Sequence, residues 1–461
     1  MSLLDPELAE RVLARALANG GEFAEVFCEQ RDGLAISIDE SRIEHAQRGA
    51  DRGAGIRVVS GETTYFAHVD GLEPDDLLAT ADAAAAGARS GRRAATPLAA
   101  ASEPSLQAVE IDPGDVANER KAALLRELDE RARSQGAEIA QVSANYSEAR
   151  RRVAVANSDG AFASDERTRL RLVAQVVARR GDRAQTGFET LAGHAGFELF
   201  DDDPAAIAEQ AAGKALALLD ADPAPSGPTC VVVGAGFGGV LFHEMTGHGL
   251  EADGVQKGAS IYAGRIGEKL AEPLLSAYDD GRLPGQWGTD AIDDEGTPTQ
   301  RTAVLEEGRL ASYLYDLLRA RRDGVASTGN GRRESFRHLP IPRMTNTYIA
   351  PGDASPEEII ADVPKGFYAA SFGGGQVEPA TGDFVFGVSE GYLIENGRIT
   401  RPCREATLIG NGLEVLRQID AVGSDFDVKS GFCGKSGQRV PVGTGQGHVR
   451  VRELTVGGTA T

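Results

Sequence analysis

Hydrophobic and polar positions divide the chain into two differently patterned halves. Asp5-Pro6 supplies a cap and a first-turn proline, and Leu8, Val12, Leu13 and Ala16 follow at helical spacing up to Gly20-Gly21, which predicts a first helix. Segments 23–30, 35–41, 55–60 and 63–68 then alternate, or cluster β-branched and aromatic residues, between Gly and Asp punctuation, the pattern of a strand meander. A second helix is expected from Leu72 to about Ala88. Segment 90–113 is rich in Ala, Pro, Ser and Arg, has no usable period, and reads as an exposed linker. After it the order repeats: a helix over 116–134, strands over 139–145, 152–158 and 168–179, and a helix from Asp203-Pro204 to about Leu219.

The proline-rich stretch from Ala221 to Pro228 is the clearest boundary. Beyond it short β runs and turns dominate, with Asn396-Gly397 between apolar runs as a hairpin signal. The expected fold class is α+β: an N-terminal mixed α/β domain over 1–225, built as two units (1–90 and 114–225) joined by a loop, followed by a large, mostly antiparallel β domain over 226–461 that carries a metal-binding helix packed on it.

That helix lies in the stretch from Thr229 to Asp253, a β-branched strand, a glycine-rich turn and an apolar helix. Gly234, Gly236 and Gly239 fit the dinucleotide fingerprint G-x-G-x-x-G between strand and helix. Residues 252–260 offer no second parallel strand ending in an acid, so a nicotinamide-dependent oxidoreductase is the weaker reading and the glycines are expected to permit tight helix packing. The same helix carries His243, Glu244 and His248, an H-E-x-x-x-H spacing. Two zinc ligands on one helix face are normally one turn apart, whereas a step of five rotates the second by roughly 140°. A π-bulge or a left-handed cap near Gly247 and Gly249 would swing His248 back. A catalytic zinc needs a third protein ligand, with Asp253, Glu251 and Cys433 as candidates. Cys433 is expected in a flexible turn, and the neighbouring Gly434-Lys435-Ser436 fails as a P-loop because Lys429 stands where a glycine is required.

Composition changes the picture only by exclusion. No apolar run approaches a membrane span, the N-terminus lacks a signal-peptide pattern, and four scattered cysteines make no disulfide framework, so a cytoplasmic protein with no membrane partner is expected. A formal net charge of -21 argues against nucleic acid as a partner.

The run His243-Glu-Met-Thr-Gly-His-Gly-Leu-Glu-Ala-Asp253 resembles the motif of the TldD/PmbA family of zinc metalloproteases, on the TldD side. The likeness continues through Asp293–Pro298, Thr328–Ser335, Pro342–Asn346, Phe372–Gln376, Cys433-Gly-Lys435 and the tail Leu454–Ala460, in family order. The resemblance implies one Zn2+ held by His243, His248 and Cys433, with Glu244 as general base. It also implies hydrolysis of short or unfolded peptides with low sequence specificity, the substrate lying extended against a strand edge, and a second role in processing a peptide precursor or an antitoxin-like protein. A TldE/PmbA-like paralog as heterodimer partner, or a second copy of the chain, is implied as well. Within this frame Gly373, Gly374 and Gly375 are candidates for close approach of a peptide backbone, Arg332 and Arg333 for a substrate carboxylate or an internal acid, and His338 for the tetrahedral intermediate. Cys403 is a reserve ligand. A non-catalytic peptide-binding or regulatory protein is the rival from another class, which Glu244 counts against.

Overall fold

Alternation along long strands organises the N-terminal half. In the computed structural model, which describes residues 3–89, 91, 93–100 and 109–459, strands Phe23–Asp39, Arg42–Ser60, Ile139–Asn157 and Ala161–Arg180 replace the shorter strands expected. Residues 90, 92 and 101–108 of the expected linker, and Ala460 of the tail motif, lie outside the described residues. The four long strands and Thr63–Asp70 form an antiparallel sheet in the order 63–70, 42–60, 23–39, 139–157, 161–180, extended by Arg183–Gly193 and the short Ala99–Ala100, which both pair with 161–180. The helix–three strands–helix order thus occurs twice on one continuous sheet, joined by the pairing of 23–39 with 139–157.

Side chains alternate across a strand, so each face has its own chemistry. Val26 and Cys28 lie under helices Pro6–Ala16 and Pro74–Ala85, and Leu34, Ile36 and Ile38 under Asn118–Arg133 and Ala206–Leu219. The odd-numbered face presents Glu25, Phe27 and Glu29 to the C-terminal half, where Phe27, Val153 and Val155 meet Ile292 and Phe336. Buried ion pairs surround this apolar contact: Arg57 with Glu25 and Glu295, Arg151 with Glu29, and Arg167 with Asp165, Asp290 and Asp294.

The C-terminal half holds two sheets. One runs 309–310, 301–306, 277–280, 346–349, 438–446, 427–435, so Asp427–Lys435 is its edge strand. In the other, Lys365–Glu378, Gly227–Val233, Val449–Gly457, Ala406–Asn411 and Asp383–Glu395 pair in sequence, and 383–395 pairs back with 365–378, closing the circuit. Most pairings are antiparallel. Asn396 and Gly397 take the left-handed φ values of 53° and 71° that a two-residue hairpin demands.

The chemistry-bearing segment is buried between these sheets rather than laid on one. Leu241, Phe242 and Met245 share a core with Val233, Ile349, Phe367, Val442 and Val449. Gly239 packs on the backbone of Gly445, and a Cβ on Gly238 would meet Val233 and the Gln446 amide, so the glycines permit close approach. The chain passes through helix Ala252–Gln256 and turns to Ala277–Asp280 of the other sheet, and the parallel neighbour of 227–233 is 365–378, more than a hundred residues on, so no dinucleotide-type βαβ unit forms.

Candidate metal centre

Four residues of α-helix, Gly239–Phe242, give way to a π-turn over His243–Gly247 and a 3-10 turn over His248–Leu250. The His248 N–H donates to the His243 carbonyl, an i to i+5 bond that brings the two side chains to one side despite their five-residue step. Two glycines permit this. A Cβ on Gly247 would collide with the Met344 sulfur, and one on Gly249 with the Tyr262 ring. Tyr262 also fastens the turn, its hydroxyl donating to the Met245 carbonyl at 2.9 Å.

Cys433 arrives from the edge strand, in β conformation and paired with Val440, not from the turn expected. Its Sγ lies 3.3 Å from His243 Nε2 and 3.2 Å from His248 Nε2. The two imidazoles stand edge to face, with centroids 5.3 Å apart. Among the described residues this is the group of ligand-type atoms that converges closely enough to hold a metal ion. Two imidazole nitrogens and a sulfur are a donor set that zinc favours, and a tetrahedral ion would separate nitrogen and sulfur by about 3.5 Å, near the distances seen.

Burial alone would raise the Cys433 thiol, but His243 and His248 overcome it and hold its pKa well below the ordinary value, so the sulfur is set up as a thiolate. For His248, burial opposes the charged form and is outweighed by Glu251 and Cys433, which hold its pKa well above the usual range. Glu251 explains much of this. Its Oε2 is 3.0 Å from His248 Nδ1 and 3.1 Å from Lys435 Nζ, while Arg343 Nε stands 3.8 Å from its other oxygen. Against a burial effect in the opposite direction, His248 and Lys435 bring the Glu251 carboxyl down to about 2. A carboxylate on Nδ1 fixes the tautomer that leaves Nε2 as a donor to metal. Among the described residues His243 has no such partner, for its Nδ1 is buried without a hydrogen bond.

Glu244 is the acid beside the group that reaches solvent, with Oε2 3.7 Å from His248 Nε2 and its side chain 26% exposed. Asp253, a candidate third ligand by sequence, instead accepts from Lys435 Nζ at 2.6 Å, and Glu251 stands behind His248 as its carboxylate support. Lys435 and Arg343 were not singled out by sequence. Strand alternation carries the signal for Lys435, two positions after Cys433 and therefore on the same face; Arg343 donates to the Cys433 carbonyl at 2.6 Å.

The remaining candidates fall elsewhere. Arg332 and Arg333 are buried and bound internally rather than presented to a substrate: Arg332 donates to the Met344 carbonyl at 2.6 Å, and Arg333 pairs with Glu25 and donates to the Asp294 carbonyl. His338 is half-buried in the turn between strands 331–332 and 341–342, its Nδ1 3.0 Å from Ser335 Oγ. Gly373, Gly374 and Gly375 are exposed on Lys365–Glu378, a strand that packs against the π-turn. Cys403 lies in the other sheet beside Asp222, apart from the triad, and burial pushes its thiol up to about 11.

Comparison with known proteins agrees along the whole chain. Family models of the PmbA/TldA metallopeptidase match as domain 1 over 24–88, as the central domain over 111–219 and as the C-terminal domain over 226–458. A Haemophilus influenzae protein named Metalloprotease TldD homolog is 40% identical over 449 residues, covering 95% of this chain and 93% of that protein. Two solved structures share the fold. One, from Thermotoga maritima and described as a candidate modulator of a DNA gyrase, has a TM-score of 0.81 at 23% identity, with 98% of this chain and 99% of that one covered. TldE from Thermococcus kodakarensis has a TM-score of 0.78 at 20% identity, with 97% and 99% covered.

Proposed function

Because the chain belongs to the PmbA/TldA metallopeptidase family, we propose that it is a zinc-dependent peptidase that hydrolyses short or unfolded peptides with low sequence specificity. The observation that carries this reading is the convergence of His243 Nε2, His248 Nε2 and Cys433 Sγ beside the solvent-reaching carboxylate of Glu244. Zinc held by those three atoms supplies Lewis acidity toward the scissile carbonyl and the attacking water. Glu244 takes the water proton on a carboxylate oxygen and delivers it to the leaving amine. Glu251 keeps the His248 ring in place, and Lys435 and Arg343 keep Glu251 charged.

Low specificity follows from the edge position of Asp427–Lys435. An extended peptide pairing its main chain with this strand gains affinity without reading side chains. Gly373–Gly375, exposed on a strand packed against the π-turn, is the place where a second backbone comes close. The chain pairs with a TldE/PmbA-like paralog, or with itself, and works in the cytoplasm. Among the described residues no helix is long and apolar enough to cross a membrane.

The decisive experiment is hydrolysis of a quenched fluorescent peptide by the purified chain, alone and with a paralog, before and after chelation and zinc restoration. Activity lost with the metal and recovered with zinc supports the proposal; chelator-resistant activity, or none in either pairing, refutes it.

A further inference from the structure

A cavity of about 750 Å³ opens where the odd-numbered face of the N-terminal sheet meets the C-terminal half. Its wall carries seven arginines against three acids, in a chain whose formal net charge is -21. Four of those arginines are buried and engaged in the contact between the halves: Arg151 with Glu29, Arg167 with Asp294, Arg169 with Asp290 and Arg333 with Glu25. Arg31, Arg171 and Arg439 are different, for none of them forms an ion pair within the described residues, although Arg171 Nε donates to the Thr190 hydroxyl at 3.2 Å. The three acids are mostly engaged elsewhere: Asp51 is bound to Arg337 and feels the Arg31 charge only at longer range, Glu148 is bound to Lys121, and Glu334 accepts the Arg439 backbone N–H, which leaves three negative charges against seven positive ones. Arg171 and Arg439 flank the Phe432 ring, with guanidinium carbons 5.8 and 5.0 Å from its centroid. That ring is 43% exposed and stands edge-on to Trp287. Trp287 Nε1 and Arg333 Nη1, both on residues of the same wall, are buried donors with no acceptor among the described residues.

Guanidiniums without an ion-pair partner on the wall of a concave site attract carboxylates, which they bind through paired N–H donors. Phe432 and Cys433 are consecutive in the edge strand, so the cleft and the metal triad lie on opposite faces of it. A peptide extended along this edge also alternates its side chains. We propose that the cleft is a carboxylate-binding subsite that takes an acidic side chain or the C-terminal carboxylate of a peptide lying along strand 427–435. This rests on the peptide reading above and adds to it a preference for acidic segments.

The test measures binding rather than turnover, so that it stands apart from the peptidase assay. The full chain, with its partner if one co-purifies, carries Glu244→Gln, and three labelled peptides of equal length are titrated by fluorescence anisotropy at low salt. One is glutamate-rich with an amidated C-terminus, one glutamine-rich and amidated, and one glutamine-rich with a free C-terminus. Either carboxylate-bearing peptide should bind about tenfold tighter than the neutral amide, and which of the two does so identifies the source of the carboxylate. Arg439→Gln, at an exposed position, should reduce that ratio several-fold, adding Arg171→Gln should bring it near one, and Arg439→Lys should retain most of it. Equal affinity for all three peptides, a ratio unchanged in Arg439→Gln, or preferential binding of oligothymidylate over the glutamate-rich peptide overturns the proposal. Selective binding by the Glu244→Gln chain, together with no hydrolysis by the zinc-restored chain that keeps Glu244, would refute the peptidase reading while leaving the subsite intact.

Discussion

Glu244 and Glu251 sit on either side of His248, and burial assigns them different work. The Glu244 side chain is 26% exposed, that of Glu251 1%. Only the first can exchange a proton with a water that enters from solvent; the second is locked to His248 and Lys435. Glu244→Gln keeps the shape and removes the proposed base, so peptide hydrolysis should fall by about 10²–10⁴-fold while zinc content, read by atomic absorption, stays at the wild-type level. Loss of zinc together with activity would mean that Glu244 is a structural member of the site. Glu251→Gln should do the reverse, weakening zinc affinity about 10–100-fold in a competition titration, with activity restored at saturating metal; unchanged affinity would dismiss it as a support. At this scale the sequence is legible where chemistry is local. His243, Glu244 and His248 are visible from their spacing. Cys433 follows His248 by 185 residues and is separated from it by several strands, so the residues alone leave it one of three candidate ligands, and it is the family likeness that singles it out.

The π-turn is the element on which the site depends, and its glycines are chosen by space. Gly247→Ala drives a methyl group into the Met344 sulfur, a side chain with no exposure of its own, so the core must yield. Overpacking of this kind costs about 1–3 kcal/mol. The variant should melt several degrees lower and bind zinc more weakly, and Met344→Ala in the same chain should recover part of both by vacating the space. A variant that binds zinc and melts like wild type would show that the turn is not held by this contact. The five-residue step announces the distortion in advance because a regular helix cannot satisfy it. Strand lengths are less readable. Arg31-Asp32-Gly33 looks like punctuation, yet the strand runs through it with Gly33 opposite Gly49 on one side and Ala149 on the other. A Cβ there would stand 3.0 Å from the Glu148 carbonyl oxygen, a tight approach that favours glycine and is set by a strand more than a hundred residues away.

Across the whole molecule, the contact between the halves is dense in charge, which net charge and periodicity do not foretell because each pair joins residues distant in sequence. Arg57 on the N-terminal sheet reaches Glu295 of the C-terminal half, and the Glu295 carboxylate in turn accepts the Leu317 N–H. Beside it Asp316 caps helix Leu317–Asp323 by accepting from Arg319 N at 2.7 Å, almost wholly buried. Burial, and then the neighbouring Glu295, push the Asp316 carboxyl up to about 7. In the unfolded chain it titrates near ~3.9. As pH rises from about 4 to 7, the unfolded chain therefore sheds this proton while the folded one retains it, and Asp316 progressively subtracts stability, fully above pH 7. The neighbouring Asp294 works the other way. Burial raises it, but Arg151 and Arg167 prevail and hold it below the carboxylate range, so its contribution is present above about pH 4 and is lost in acid. Asp316→Asn keeps an oxygen at the cap and removes the ionisation, while leaving the Asp294 limb common to both proteins. The two should melt together near pH 4, and the variant should melt progressively higher than wild type toward pH 8, by an amount on the order of a few kcal/mol at most. A difference in melting temperature that stays constant from pH 4 to 8 would remove Asp316 as the group responsible and leave the alkaline side of the stability profile to other acids of the contact.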